Sequence, residues 1–336
     1  MKNFSVVLSI IFVICTLLTF SAVSGCKRIK NPVKYEMGTF PDTATFNIEG
    51  LNTQYDDYNS NLYMIGGAMP IIFSSNRGSN GLQYDLVQGV FWFQFDQTTG
   101  KFDMGGEMIN DPFYAALIGK ANTAGDDLGP CSFLSSPDGF EYLVVASQTT
   151  NGDRDLYYLK NLPRFGTEIP TIYGPYSARL LNTSFDDEYF CFDSNKDTAY
   201  FSSNRDGRYH IYFHERPVGL AADTWLNQDF SPSTMVDSIN STSDDRCPLI
   251  SRNIMGFASN RDGGLGGYDL YYSVFKNGKW NSPVNFGPPI NSEADEFRPI
   301  LGYHYQYKND FLIFSSNRTG GLGGYDLYFA GYTFNF

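Results

Sequence analysis

The residues with the most chemical capacity in this 336-residue chain are acids that come in pairs: Asp56-Asp57, Asp126-Asp127, Asp186-Asp187, Asp244-Asp245 and Asp295-Glu296. Closely placed carboxylates do three kinds of chemistry. They ligate a hard cation, they attract a basic partner, or they act as acid and base on a glycosidic bond when roughly 5–10 Å apart. After each pair comes a serine that is usually followed by Asn-Arg: Ser75, Ser147, Ser203, Ser259 and Ser316. The arginines are Arg77, Arg205, Arg261 and Arg318, and the second repeat has none. A planar guanidinium recurring in step with carboxylates suits buried or half-buried pairing. The partners open to it are the acidic loop and the strand aspartates Asp85, Asp155, Asp269 and Asp326. The acids Asp57, Asp127, Asp187, Asp245 and Glu296 therefore have two readings. They form turns and bind backbone N–H groups, or they make an acidic ring at the mouth of a channel.

Other chemistry is not signalled. The chain has no G-x-S-x-G elbow, no phosphate loop and no D-x-D-x-D-G calcium loop, so a structural calcium ion is a weak expectation and no cofactor is expected. His210 and His214 are four apart, but on a strand that places them about 13 Å from each other, and no metal site is predicted. Cys131, Cys191 and Cys247 fall at similar places in successive repeats. They read as buried small side chains, with one disulfide as the alternative.

The elements that position these residues repeat. FASNRDGGLGGYDLYY from Phe257 reads as strand, glycine turn and strand, and FSSNRTGGLGGYDLY from Phe314 restates it. Copies begin at Phe73 and Phe201, and a degraded one, VASQTTNGDRDLYY, begins at Val145. The repeat serines are 72, 56, 56 and 57 residues apart. An asparagine often leads the acidic pair, as in LNTQYDD, LNTSFDD and INSEADE. Each repeat holds an acidic loop, an inner strand, the strand into SSNR, the YDLYY strand and an outer strand, which is the size of one propeller blade. The expectation is an all-β propeller of five four-stranded blades, closed by an N-terminal strand between Val33 and Leu51. Six blades is the alternative, because Phe91 to Gly125 is long. The segment Met104 to Ala124 reads as an insertion, with a short helix after Asn110-Asp111-Pro112.

A net charge of −12 and no basic cluster inside the repeats argue against nucleic acid as a partner. Lys2, the apolar run Val6 to Phe20 and the small residues up to Gly25 describe a secretory signal over 1–25. AVSGC resembles a lipobox, which makes Cys26 the expected lipidation site, 26–32 a tether and 33–336 one propeller domain. Acyl chains would hold such a protein on a membrane surface.

The repeated SSNRxGGxGGYDLY resembles the WD-like (PD40-type) β-propeller repeat of the Tol-system propeller protein and related envelope lipoproteins of Gram-negative, Bacteroidetes-like bacteria. That resemblance implies a non-catalytic scaffold that binds other envelope proteins. The basic residues Lys27, Arg28 and Lys30 after Cys26 favour an outer-membrane lipoprotein facing the periplasm over one sent to the cell surface. The alternative is a five-bladed propeller that binds or hydrolyses carbohydrate with carboxylates in its central funnel.

Overall fold

The computed structural model describes residues 33–62 and 68–334. The signal segment and Cys26 lie outside the described residues. Five antiparallel sheets stand around one axis. Blade 1 contains Asp57–Leu62, Ala68–Ser75, Asp85–Phe95 and Phe102–Met108 from the axis outward, and blade 2 contains Asp127–Leu134, Glu141–Gln148, Arg154–Asn161 and Tyr173–Ser177. Blade 3 contains Asp187–Phe192, Thr198–Ser203, His210–Glu215 and Thr234–Met235. Blade 4 contains Asp245–Ser251, Ile254–Ser259 and Asp269–Lys276, and its outer edge is split into Lys279–Trp280 and Val284–Asn285. Blade 5 contains Glu296–Gly302, Asp310–Ser316 and Asp326–Tyr332. Its outer strand is supplied by the N-terminal Phe46–Asn47, with Phe46 opposite Phe329 and Asn47 opposite Tyr328. Five blades, and not six, close the ring, and closure removes the open sheet edge.

The middle strands are buried on both faces because each blade is sandwiched between two others. Phe311 to Ser316 are therefore buried at every position, and an alternating pattern is absent. Rings fill the junctions. Phe40 stacks on Tyr307 with centroids 3.8 Å apart and meets Phe93, Phe311 and Phe329 edge-on.

The long first step has two causes. Residues to Met108 belong to the outer strand of blade 1, and helix α1, Pro112–Ala121, follows it. Asp111 caps α1 by accepting from the N–H groups of Phe113 and Tyr114, and Pro112 needs no partner at the first helical position. The buried face of α1 (Phe113, Leu117, Ile118) packs between blades 1 and 2. A second helix, α2 (Ala222–Leu226), buries Trp225 in blade 3 and has no repeat signal.

Candidate functional site

The acidic pairs divide their work. The second acid of each pair is fully buried. Asp57 accepts from the backbone N–H and hydroxyl of Thr53, from Ser75 and from Arg77. Arg205 pairs with Asp187 at 2.5 Å, Arg318 with Glu296 at 2.9 Å, and Arg261 with Asp245. Each of these three arginines also lies over two rings, Arg261 over Phe257 and Tyr271 at 5.2 and 4.8 Å. The aromatic residues of the repeat thus sheathe its ion pair. Of the two partners open to the arginines, the loop acid is the one they take. Asp269 and Asp326 instead accept the turn N–H groups of Leu265 and Leu322 and bind Asn285 and Asn47. Asp85 accepts from Gln83, and Asp155 keeps one buried oxygen without a partner. Nor do Asp57, Asp127, Asp187, Asp245 and Glu296 form an accessible acidic ring, because their hydrogen bonds lock them inside the blades.

The first acid of each pair joins blade to blade. Tyr84 N–H donates to Asp126, Arg154 to Asp186, Tyr209 to Asp244, Tyr268 to Asp295 and Tyr325 to Asp56, and this last bond closes the circle. Four of these acids also accept a tyrosine hydroxyl: Tyr84 on Asp56, Tyr209 on Asp186, Tyr268 on Asp244 and Tyr325 on Asp295. The leading asparagines make a second stitch. Asn52 brackets the backbone of Leu327, and Asn122, Asn182, Asn240 and Asn291 do the same to Leu86, Leu156, Ile211 and Leu270.

Blade 2 breaks both patterns. Gln148-Thr149 stands where Asn-Arg is found elsewhere, so Asp127 has no arginine, and burial pushes its carboxyl up to about 6. Asp155 is likewise pushed up to about 6, by burial first and then by Asp153 and Asp187. Arg154 takes the place of the ring tyrosine. Asp126 consequently receives no hydroxyl, and its side chain keeps a single hydrogen bond, from Tyr84 N–H.

The inner strands determine what faces the axis. Each carries a bulge one residue into the strand, with positive φ at Asn59, Gly129, Tyr189, Cys247 and Arg298. A bulge with a left-handed residue re-aims the neighbouring side chain. These side chains plug the channel: Asn59 donates to the Tyr189 hydroxyl at 3.1 Å, and Arg298 reaches the carbonyl of Pro130 at 2.9 Å. Gly129 gives the plug its room, because a Cβ there would stand 2.6 Å from the Tyr189 ring. The channel is thus not an open funnel but two mouths divided by a plug.

The upper mouth is a cavity of about 270 Å³. In four blades the residue after the acidic pair lines its base, Tyr58, Leu128, Arg246 and Phe297, and the residue at that place in blade 3, Glu188, is not in the wall. Tyr84, Arg154, Tyr209 and Tyr325 rise outside them. Glu188 is fully buried and ion-paired to Arg246, which lies 3.7 Å from the Tyr209 centroid. Its Oε2 has no hydrogen-bond partner, and neither has the Nε of Arg154 or of Arg246. The Arg154 guanidinium is 3.9 Å from Glu188, 3.9 Å from Asp186 and 4.0 Å from Asp126, with no side-chain hydrogen bond among the described residues. Burial, then Tyr84 and Glu188, raise the Tyr58 hydroxyl well above its ordinary value, so it stays protonated. Aromatic walls and two arginines, one of them ion-paired to a buried carboxylate, form a pocket suited to a small polar ligand with flat apolar faces.

None of Tyr58, Glu188, Arg246, Phe297 and Arg154 was marked by the sequence as functional. The available signal was the position after each acidic pair, which reads Tyr, Leu, Glu, Arg, Phe while its surroundings repeat. His210 binds Asp206 and the Ser241 carbonyl, and no group of three or more His, Cys, Asp or Glu among the described residues is placed to hold a metal ion.

No family model and no curated protein matches the chain. Solved structures do match. The endo-arabinase of Bacteroides thetaiotaomicron is similar over 88% of this chain and 98% of its own, at 12% identity and a TM-score of 0.53. The GH62 α-L-arabinofuranosidase catalytic domain of Coprinopsis cinerea matches over 87% and 97%, at 12% identity and TM-score 0.51. The Podospora anserina α-L-arabinofuranosidase, solved with cellotriose, matches over 88% and 98% at the same identity and TM-score. At this identity the likeness is one of fold. It corrects the expectations drawn from the PD40-type resemblance: the five-bladed architectures matched are those of glycoside hydrolases, and a TolB-like, non-catalytic scaffold is not what the comparisons return.

Proposed function

We propose that this chain acts on a saccharide at the upper mouth and hydrolyses a glycosidic bond there, with Glu188 and Asp126 as its two carboxylates. Arg154 is the observation that carries this reading. It stands in the one blade where the ring tyrosine is lost, beside both acids and bonded to neither. The dimensions of a guanidinium then put the two carboxylates no more than about 10 Å apart, within the span that works on a glycosidic bond. Glu188, ion-paired to Arg246, is assigned as the base or nucleophile. Asp126, whose side chain is partly exposed, is assigned the remaining role, the acid. Arg154 stands 3.9 Å from Glu188, and for Glu188 to meet a sugar hydroxyl this long contact has to give way. Tyr58, Tyr84 and Phe297 offer faces on which a sugar ring stacks. The fold shared with an endo-arabinase and arabinofuranosidases supports the choice of substrates to try first.

The test uses the chain from residue 33 on arabinan, arabinoxylan and galactan oligosaccharides, reading released reducing sugar and calorimetric binding. E188Q and D126N are expected to lower kcat/KM by about 10³ while binding changes less than about tenfold. If no saccharide is bound or cleaved, or if E188Q cleaves like the natural chain, the proposal fails.

A further inference from the structure

The outer edge of blade 4 is split, and among the described residues it is the only one that is. The strand Asp269–Lys276 turns back through Asn277 and Gly278, at φ +54 and +77, so that Trp280 comes opposite Phe275. The chain then leaves the edge and rejoins it at Val284, opposite Tyr272. The Ser273 hydroxyl holds the gap by donating to the Asn281 carbonyl at 2.6 Å. The split produces a hairpin tip that leans on blade 3. Trp280 is buried, its Nε1 donates to the Tyr200 hydroxyl at 3.3 Å, and its ring meets Tyr200 and Phe275 edge-on.

Between this tip and the outer edge of blade 3 lies a cavity of about 400 Å³. It sits at the strand ends away from the acidic loops. Thr198 and Glu215 pair at that end, whereas Ser203, at the other end of the same strand, pairs with Asp187. The cavity is thus removed from the upper mouth by at least about the length of a six-residue strand, ~20 Å. Its bed is aromatic: Tyr200, Phe213, Trp280 and Phe275, the last of them 41% exposed. Its rim is polar. Glu215, Asp237 and Lys279 are exposed and line the same cavity, and among the described residues none of their side chains has a hydrogen bond or an ion pair.

Both signs of charge on one rim disfavour a charged ligand: a cation meets Lys279, and an anion meets Glu215 and Asp237. A neutral ligand with hydroxyls along its edges suits all three, since the carboxylates accept and the ammonium donates. If it also has apolar C–H faces, it stacks on Phe275. The volume lies in the range of small-ligand pockets. We infer that this cavity is a second saccharide-binding site, with Phe275 as its stacking face and Glu215, Asp237 and Lys279 as its hydroxyl-binding groups. The inference rests on the reading of the chain as one that acts on a saccharide, and it adds a task on the opposite face. One stretch of polysaccharide is held there while another enters the upper mouth, which raises the local concentration of substrate. No bond is made or broken at this site.

The full chain carrying E188Q, which keeps hydrolysis from consuming the ligand, is titrated by calorimetry with hexasaccharides of arabinan, arabinoxylan and galactan. Two saturable sites are expected. F275A in the same background should weaken one of them about tenfold and leave the other. E215Q combined with D237N, at two exposed side chains without partners, should do the same, and it decides alone if F275A does not fold. Crystals soaked in the bound hexasaccharide should show a sugar ring on Phe275. A site weakened by these variants upholds the inference even where no sugar is cleaved, an outcome that sinks only the hydrolytic reading. Binding at a single site that neither variant touches overturns the inference and leaves that reading standing, and no binding at all overturns both. A dimer in sedimentation that F275A dissolves makes the cavity an interface between copies and overturns the inference as well.

Discussion

Arg261 pairs with Asp245, the second acid of its own blade's loop, and lies between the rings of Phe257 and Tyr271. Asp245 is fully buried, so removing the arginine leaves a carboxylate without its counter-charge. R261M is expected to lower the unfolding free energy by about 3 kcal/mol, measured in urea. R154M, at a site of long contacts, should change it by less than about 1 kcal/mol. Equal losses in the two variants would contradict the assignment of one arginine to the frame and the other to the mouth.

Blade 2 carries a pH signature. The carboxyls of Asp127 and Asp155 are raised to about 6 by burial, whereas an unfolded aspartate titrates near 3.8. Between these values the folded chain binds more protons than the unfolded one, so this part of the stability is full below about pH 4 and is lost as pH rises through about 6. The stability of the natural chain relative to D127N should therefore fall from pH 4 to pH 7. A difference that stays flat over that range would show that Asp127 is ordinary.

Thr149 occupies the place of the missing arginine. T149R offers Asp127 the partner that Arg77, Arg205, Arg261 and Arg318 give to theirs. The variant should remove the part of the fall in stability between pH 4 and pH 7 that Asp127 supplies, about half, and leave that of Asp155, as read by urea denaturation at each pH. A profile like that of the natural chain would mean that the arginine does not reach Asp127.

Gly129 has φ +58 and faces the Tyr189 ring, which a Cβ would approach to 2.6 Å. G129A is expected to cost about 2 kcal/mol, part strain and part collision. In a Y189L background the collision is gone and the cost should fall by about half. A cost unchanged in that background would place the whole effect in the backbone.

The N-terminal segment completes blade 5, and Asn52 fixes that junction through both the N–H and the carbonyl of Leu327. N52A removes two buried bonds and should cost about 2 kcal/mol in urea denaturation. N182A, at the equivalent place between blades 2 and 3, should cost a similar amount. A negligible loss in both would remove the asparagines from the stitching.

The blades were legible in the sequence because a repeated fold writes its frame once per repeat. Serine, arginine, the acidic pair and the leading asparagine each recur, and each proves to be a fastening of the blade or of its junction. Arg154 and Glu188 were not legible, although both lie in plain view. Arg154 was part of a copy that merely looked degraded, and Glu188 was one more acid beside an acidic pair.

The sequence alone thus determined the repeat, the number of blades and the N-terminal closure, because these follow from local periodicity and from the need to pair the last sheet edge. Which arginine meets which carboxylate, the plugged axis and the meeting of Glu188, Arg154 and Asp126 were decided only by the tertiary structure. The inner strands converge on one axis and bulge there at a left-handed residue, so side chains from all five repeats share a space that no single repeat describes.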